Sequence, residues 1–313
     1  MEYVACDLCG SDETRLVYRV RDTNYGTPGE FHLVQCRTCQ LVYLNPRPAP
    51  SRYFDIYPET TYDPFDEMNR ADEPKPNETH RERARQLTRM VGRGRVLDVG
   101  CGTGLFLQAM REEGWSCVGV EPSPRASEFA RTRLRLDVRR GTIFDIADTE
   151  SFDVITFWDA LEHTPSPRAA LGRVHQLLIP RGIIALSLPN WDSVERRIFG
   201  AEWIALDAPR HFYHFSPSTI RRLLASSGFQ VQTIQARAPV MSLASNILRW
   251  GGRWILRRGK AKGAPALNVP TRRTPSLGRR WMIRATYLGV TPLNALINSI
   301  HRGADLMVIA RKV

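Results

Sequence analysis

The nine residues Val96–Gly104, Val-Leu-Asp-Val-Gly-Cys-Gly-Thr-Gly, constrain this chain more than any other stretch. An apolar strand ends in Asp98, and Gly100, Gly102 and Gly104 then alternate through a tight turn. A helix-like run follows, Leu105 to Glu113. Glycines so placed let the backbone turn sharply and let a ligand approach the main chain closely. A second short strand, Cys117 to Val120, ends in Glu121, where a carboxylate is placed to bind a ribose diol. The pattern predicts an α/β sheet that holds an adenosine-containing ligand at the carboxyl ends of its strands.

A dinucleotide site requires G-x-G-x-x-G, with the pyrophosphate on the helix N-terminus. Here the sixth position of that pattern is Leu105, and the spacing is G-x-G-x-G behind an acid, Asp98. An acid there suits a ligand with a cationic amino group rather than a diphosphate. S-adenosylmethionine (SAM) is such a ligand.

At this point the chain resembles the class I SAM-dependent methyltransferases. Val96–Gly104 matches their first motif, and Glu121 in Val-Gly-Val-Glu-Pro-Ser matches their ribose-binding acid. Phe152–His163 matches the motif after the fourth strand, and Leu177–Asn190 matches the fifth strand with its lead-in. The resemblance implies an α/β fold: a mixed, Rossmann-like sheet of about seven strands. The cofactor contacts it implies are Asp98, Gly100, Cys101, Gly102, Gly104, Glu121, Pro122, Phe144, Asp145 and Trp158, with Asp145 as the adenine-side acid. The final strands read as Phe229–Gln235 and Asp305–Lys312, with a helical insertion between them.

Cys6-x-x-Cys9 and Cys36-x-x-Cys39 bracket a predicted hairpin, Arg15–Val20 and Glu30–Gln35. Two such pairs wrap four thiolates onto one tetrahedral ion, and four thiolates favour zinc with a structural role. Paired disulfides are the alternative, and a reduced cytoplasmic setting disfavours them. Cys101 and Cys117 fall in the cofactor fold and read as packing residues. The expected division is a zinc module over 1–45, a linker and helical lead-in over 46–90, and a methyltransferase domain over 91–313. The linker interleaves Tyr53, Phe54, Tyr57 and Tyr62, which either wall a substrate pocket or anchor the zinc module.

The net charge of +12 is uneven. From Met241 to Val313, fourteen Lys/Arg stand against one acid, Asp305, so the rest of the chain is close to neutral. The basic insertion, at about 241–303, carries Leu243, Ile247, Trp250 and Trp254 at helical spacing beside Arg249, Arg253 and Arg257. A loop over 259–280 and a second helix over 281–300 follow. Such a pattern resembles a helix lying in an anionic membrane interface, and a solvated face is the bland alternative. No apolar run is long enough to span a bilayer and no signal peptide is evident, so the expected location is the cytoplasm, with peripheral contact at the inner membrane face.

Methyl transfer needs an in-line nucleophile and, for a hydroxyl acceptor, a base. Asp159, Glu162 and His163 follow the fourth strand at i, i+3 and i+4 and would share one face if a helix begins there. That D-x-x-E-H spacing resembles the ubiquinone-pathway O-methyltransferases, whose matching acids and histidine hold a divalent metal. The loop Pro209–Pro217 adds His211, Tyr213 and His214 as a further set of catalytic candidates. It is similar to sugar C-methyltransferases with N-terminal cysteine pairs, whose catalytic Glu-His falls on Arg210-His211. An arginine cannot replace that carboxylate base, which leaves His211 for oxygen methylation. The implied activity is methylation of a small-molecule, sugar or lipid-linked glycan acceptor. An RNA methyltransferase and a non-catalytic SAM-binding subunit are the alternatives; the sequence carries no signature of oligomeric state.

Overall fold

The computed structural model describes residues 1–57, 68, 74–239, 242–248 and 289–313. Tyr62, the Arg249–Arg257 stripe, the 259–280 loop and the first eight residues of the expected second helix lie outside them. Two compact units form, each from discontinuous chain.

The first unit combines 1–58, 189–219 and 235–307. Its four-stranded antiparallel sheet runs β1 (Thr14–Val20), β2 (Phe31–Cys36), β3 (Val42–Leu44) and β9 (Tyr213–His214). The expected hairpin is therefore present, with Leu16 opposite Val34 and Val20 opposite Phe31. Leu33, Leu41, Val42 and Leu44 are fully buried and form its apolar interior. The edge strand β9 pairs Tyr213 with Tyr43 and His214 with Val42. The cysteine segment is thus not the separate 1–45 module that its sequence suggests. It completes its sheet with chain from far downstream.

The second unit combines 59–188, 220–234 and 308–313. It carries most of a mixed seven-stranded sheet in the order β10-β11-β8-β7-β4-β5-β6. These strands are β4 (Arg95–Val99), β5 (Ser116–Glu121), β6 (Asp137–Arg140), β7 (Phe152–Trp158), β8 (Leu178–Pro189), β10 (Phe229–Arg237) and β11 (Asp305–Lys312). The pairs β4–β5, β4–β7, β5–β6 and β7–β8 are parallel. Strands buried on both faces need continuous apolar runs, and Val96, Leu97, Val154 and Ile155 are fully buried.

The helices are α1 (Glu78–Val91), α2 (Leu105–Glu112), α3 (Pro124–Thr132), α4 (Pro167–Leu177), α5 (Val194–Phe199) and α6 (Pro217–Ser226). Their starts follow capping chemistry. Asn77 accepts from the His80 N–H, Ser123 from that of Ala126 and Ser166 from that of Ala169, with Pro124 and Pro167 opening α3 and α4. Residues 242–248 and 289–299 are also helical. Leu87, Phe106, Leu107, Met110 and Trp115 pack against Val96, Val154 and Ile183 in the core of the second unit.

Candidate active site

The alternating-glycine turn lies between β4 and α2. Gly100 and Cys101 both donate their N–H to the carbonyl of Val120, at 2.8 and 3.2 Å, pinning the turn to the end of β5. Gly104 begins α2 at φ +85°, and a Cβ there would sit 2.7 Å from Leu136 Cδ1. Gly100 has φ +71°, and its Cβ would lie 2.9 Å from that of Ala160. The chain after β7 therefore packs directly on the glycine turn, and only glycine allows that approach.

Two buried carboxylates flank the turn. Asp98 is 2% exposed and Glu121 is 5% exposed. Thr156 Oγ1 donates to Asp98 Oδ1 at 2.6 Å from the register position opposite it on β7. Glu121 accepts from Gly102 N–H at 2.9 Å and from Ser123 N–H at 2.8 Å. Burial pushes Asp98 up to about 7, outweighing the Thr156 bond and the Arg83 charge. Burial likewise pushes Glu121 up to about 7 against its two backbone bonds. A cation or a hydrogen-bond donor delivered here would stabilise the ionised forms.

Trp158 closes one side. Its ring meets Phe106 edge-on at 5.1 Å, and the Arg83 guanidinium lies over it at 4.2 Å. Its buried Nε1 has no hydrogen-bond partner among the described residues. Arg83 also donates to Ser187 Oγ at 3.1 Å. Sequence reasoning overlooked Thr156, Arg83 and Ser187. Thr156 was findable as the one hydroxyl within the buried run Val154–Phe157, whereas α1 gives no local sign that Arg83 reaches the strand ends.

Other expected cofactor contacts have different surroundings. Cys101 is buried, with Sγ 2.7 Å from where a Cβ on Gly119 would lie, and burial pushes its thiol well up. Pro122 is half-buried between Glu121 and Ser123. Phe144 is 57% exposed. Asp145 is exposed and accepts from Thr142 N–H at 2.7 Å and Thr142 Oγ1 at 3.0 Å. Both bonds fall on Oδ2, which caps the turn that Asp145 itself belongs to.

The helix on which a shared face would depend does not begin after β7. Asp159 has φ +53°, and a short 3-10 turn, Leu161–His163, follows. That left-handed residue throws Asp159 to the surface, whereas Glu162 is fully buried and His163 half-buried. The three do not share a face. Asp159 joins no cluster of three or more metal-ligating side chains among the described residues, so the Asp159-Glu162-His163 metal set is not assembled.

In the first unit, Arg210 is fully buried and explains its own presence. It donates through Nη1 and Nη2 to Asp22 at 2.8 Å each, and through Nη2 to Asp207 at 2.7 Å. It also lies over the Tyr25 ring. Burial alone would raise the Asp22 carboxyl, but Arg210 outweighs it and holds the group well below the usual range. His211 is 9% exposed; its Nδ1 lies 3.0 Å from the Ala205 carbonyl and its Nε2 4.0 Å from Asp207 Oδ2. The carbonyl fixes the proton on Nδ1 and leaves Nε2 as the basic nitrogen in the neutral ring.

The catalytic candidates Tyr213 and His214 lie in a strand rather than a loop. Both are buried in β9, and Tyr213 Oη accepts from Arg47 Nη1 at 3.1 Å. Burial pushes His214 down to about 3, and neither ring nitrogen has a hydrogen-bond partner among the described residues. The linker's Tyr53 packs on Phe212 at 5.1 Å and donates to Glu2, which makes it an anchor rather than a pocket wall.

The four N-terminal cysteines converge. Their Sγ atoms all lie within 4.8 Å of one another, with Cys6–Cys39 at 3.3 Å and Cys9–Cys36 at 3.5 Å. No disulfide joins any of the four.

The strand order, the glycine turn and the acid ending the neighbouring strand define the class I SAM-dependent methyltransferase fold. A family model described as a methyltransferase domain matches residues 61–234, more than half of the chain, and the chain belongs to that family. The ubiquinone biosynthesis O-methyltransferase of Xanthomonas campestris pv. campestris (strain B100) is 32% identical over 153 residues, 45% of this chain and 64% of that protein. Its namesake from Azorhizobium caulinodans is 30% identical over 163 residues, 48% of this chain and 64% of that protein. The chain thus spans slightly less than two thirds of the length of these curated relatives. A SAM-dependent methyltransferase structure from Archaeoglobus fulgidus aligns with TM-score 0.49 and 21% identity, covering 80% of this chain and 100% of that one.

Proposed function

We propose that this chain transfers a methyl group from SAM to a hydroxyl of a small-molecule or glycan acceptor. The observation that carries the proposal is the pair of buried carboxylates, Asp98 and Glu121, at the ends of adjacent parallel strands around the glycine turn. The residues fit the cofactor: an acid for an ammonium, an acid for a ribose diol, a glycine surface open to close approach, and the buried Trp158 Nε1 in want of an acceptor. When bound, the cofactor supplies an electrophilic methyl on a sulfonium whose leaving group is a neutral thioether. Asp98 holds the cationic amino group and Glu121 the ribose hydroxyls. Arg83, beside Asp98, is placed to take the carboxylate of the same amino-acid moiety.

The remaining task is to position the acceptor and remove its proton. His163 serves as the base in this reading, because Ala160, three residues earlier, rests against Gly100. His211, with its proton fixed on Nδ1, is the second candidate. The O-methyltransferase names of the curated relatives favour an oxygen acceptor. Calorimetry of the full chain with SAM and with its demethylated product tests cofactor binding, and absence of heat with both sinks the proposal. With radiolabelled SAM and a panel of hydroxylated acceptors, His163→Gln should lower kcat while leaving SAM affinity within about threefold, as expected for a base that acts only in the transition state.

Cys6, Cys9, Cys36 and Cys39 would hold one zinc ion. Four thiolates fill a tetrahedral shell and leave no open position, so the ion would be structural. Burial pushes the Cys39 thiol up to about 11, so ionising the whole set requires a cation at its centre.

A further inference from the structure

Among the described residues, the Asp98 carboxyl is hydrogen-bonded to one side chain, and that side chain can serve it in two ways. Thr156 is fully buried in β7, at the register position beside Asp98 on β4. Its Oγ1 lies 2.6 Å from Asp98 Oδ1 and 3.4 Å from the Leu97 carbonyl oxygen. A hydroxyl carries one proton and two lone pairs, so it points that proton at one of these acceptors at a time. The short contact is in the range of a bond with a charged partner, whereas the long one is weak. The hydroxyl is therefore set to donate to an Asp98 carboxylate. When Asp98 is protonated, the same oxygen can accept the carboxyl proton and turn its own towards Leu97. No heavy atom has to move between the two states.

We propose that Thr156 is a positioning residue for cofactor capture: its hydroxyl rotates between Leu97 and Asp98 and holds the carboxylate ready for an ammonium group. This rests on the reading of Asp98 as the acid for the amino-acid moiety of SAM. The other groups in the field of Asp98 are divided. Arg83 on α1 favours the carboxylate, Glu121 at the end of β5 opposes it, and burial keeps the Cys101 and Cys117 thiols neutral. These groups act at a distance, whereas the hydroxyl follows the proton. A bond to a charged partner is about twice as strong as a neutral one, so losing the hydroxyl costs the carboxylate more than the acid.

Thr156→Val keeps the branched shape and removes the hydroxyl. It should raise the protonation midpoint of Asp98 by about one pH unit. With the wild-type midpoint at about 7, calorimetry of the full chain with the demethylated product of SAM should then show a loss of affinity that depends on pH. The expected loss is about tenfold at pH 6, about fivefold at pH 7 and nearly none at pH 9. The ratio of variant to wild type cancels the ligand's own ionisation. Thr156→Ser should stay within about twofold of wild type throughout, because it keeps the hydroxyl. Thr156→Ala removes the same hydroxyl and must give the same pH dependence if the valine variant does not fold. Carbon-13 NMR of the Asp98 carboxyl in the ligand-free chain, assigned with Asp98→Asn, should show the same displacement in Thr156→Val. A loss of equal size at every pH, as a merely structural defect would give, overturns the proposal. So does an Asp98 midpoint that Thr156→Val leaves in place. If the wild-type chain gives no heat at any pH while that midpoint still moves, the cofactor reading has failed and the hydroxyl's hold on Asp98 has not.

Discussion

A carboxyl group buried between β4 and β7 holds its proton towards neutral pH until a cation reaches it, and that gives Asp98 a thermodynamic signature. Its folded pKa is raised from the ordinary 3.8 to about 7, so the folded chain binds more protons than the unfolded one across that window. Stability of the ligand-free protein should therefore fall as pH rises from about 4 to about 7, and Glu121 adds to the slope. A ligand carrying an ammonium selects the ionised form, so the dependence of binding has the opposite sign. SAM affinity should rise with pH and level off above about 7, with up to about one proton released per Asp98 at lower pH. Calorimetry in buffers of different ionisation heat measures that proton, and Asp98→Asn should abolish its release. Arg210 makes a second prediction. Its removal strands Asp22 and Asp207 without their cation, and breaking a buried pair in this way costs about 3–5 kcal/mol. Both carboxyls are depressed in the folded state, so their contribution is present above about pH 4 and lost as pH falls through their lowered values. Arg210→Met should thus unfold at lower urea at neutral pH, and the deficit should shrink in acid. The sequence shows Arg210 as a missing glutamate; only its partner 188 residues away shows what replaces it.

At the scale of elements, local chemistry was legible and long-range pairing was not. Pro217, which closes the histidine loop, opens α6, and the final strand that the resemblance implied at Asp305–Lys312 is β11 to the residue. Strand β5 runs one residue further at each end than the apolar run suggested, because flanking residues share the ladder. By contrast, β9 is two residues long and leaves no period to read, so Tyr213 and His214 looked like loop chemistry. The turn after β7 failed for a different reason. The i, i+3, i+4 spacing has meaning only in a helix, and the left-handed Asp159 prevents one. The cysteine knuckle offers the test at this scale. Cys36 ends β2 and donates its N–H to the Leu41 carbonyl at 2.9 Å, and Leu41 leads into β3, which pairs with β9. Purified chain should carry one zinc per molecule by plasma mass spectrometry. Cys36→Ser or chelation should remove the ion and speed amide exchange first at Val42–Leu44 and Tyr213–His214, since metal binding and folding of such segments are one equilibrium.

For the whole molecule, the path of the chain matters more than its list of motifs. The sequence suggested three consecutive segments, 1–45, 46–90 and 91–313. The observed units instead interleave, with 1–58 joined to 189–219 and 235–307, and 59–188 joined to 220–234 and 308–313. Composition marks shifts along the chain, but it cannot reveal that a final strand returns to the middle of a sheet. Strand β11 lies between β10 and β8, and Leu306, Val308, Ile309 and Ala310 are all buried. A fragment ending at 234, though it covers the family match, therefore lacks an interior strand and exposes unpaired edges on both neighbours. A fragment of 1–58 keeps all four cysteines but leaves β3 without β9. Neither should fold alone: 59–234 should be insoluble or bind dye as a loose globule, and 1–58 should hold zinc more weakly than the full chain. Co-expressing 1–58 with 59–313 should restore both the β3–β9 pairing and SAM binding, because every missing strand is then supplied. Cooperative melting and full cofactor affinity in 59–234 alone would show that β11 is dispensable and would break this account of the fold.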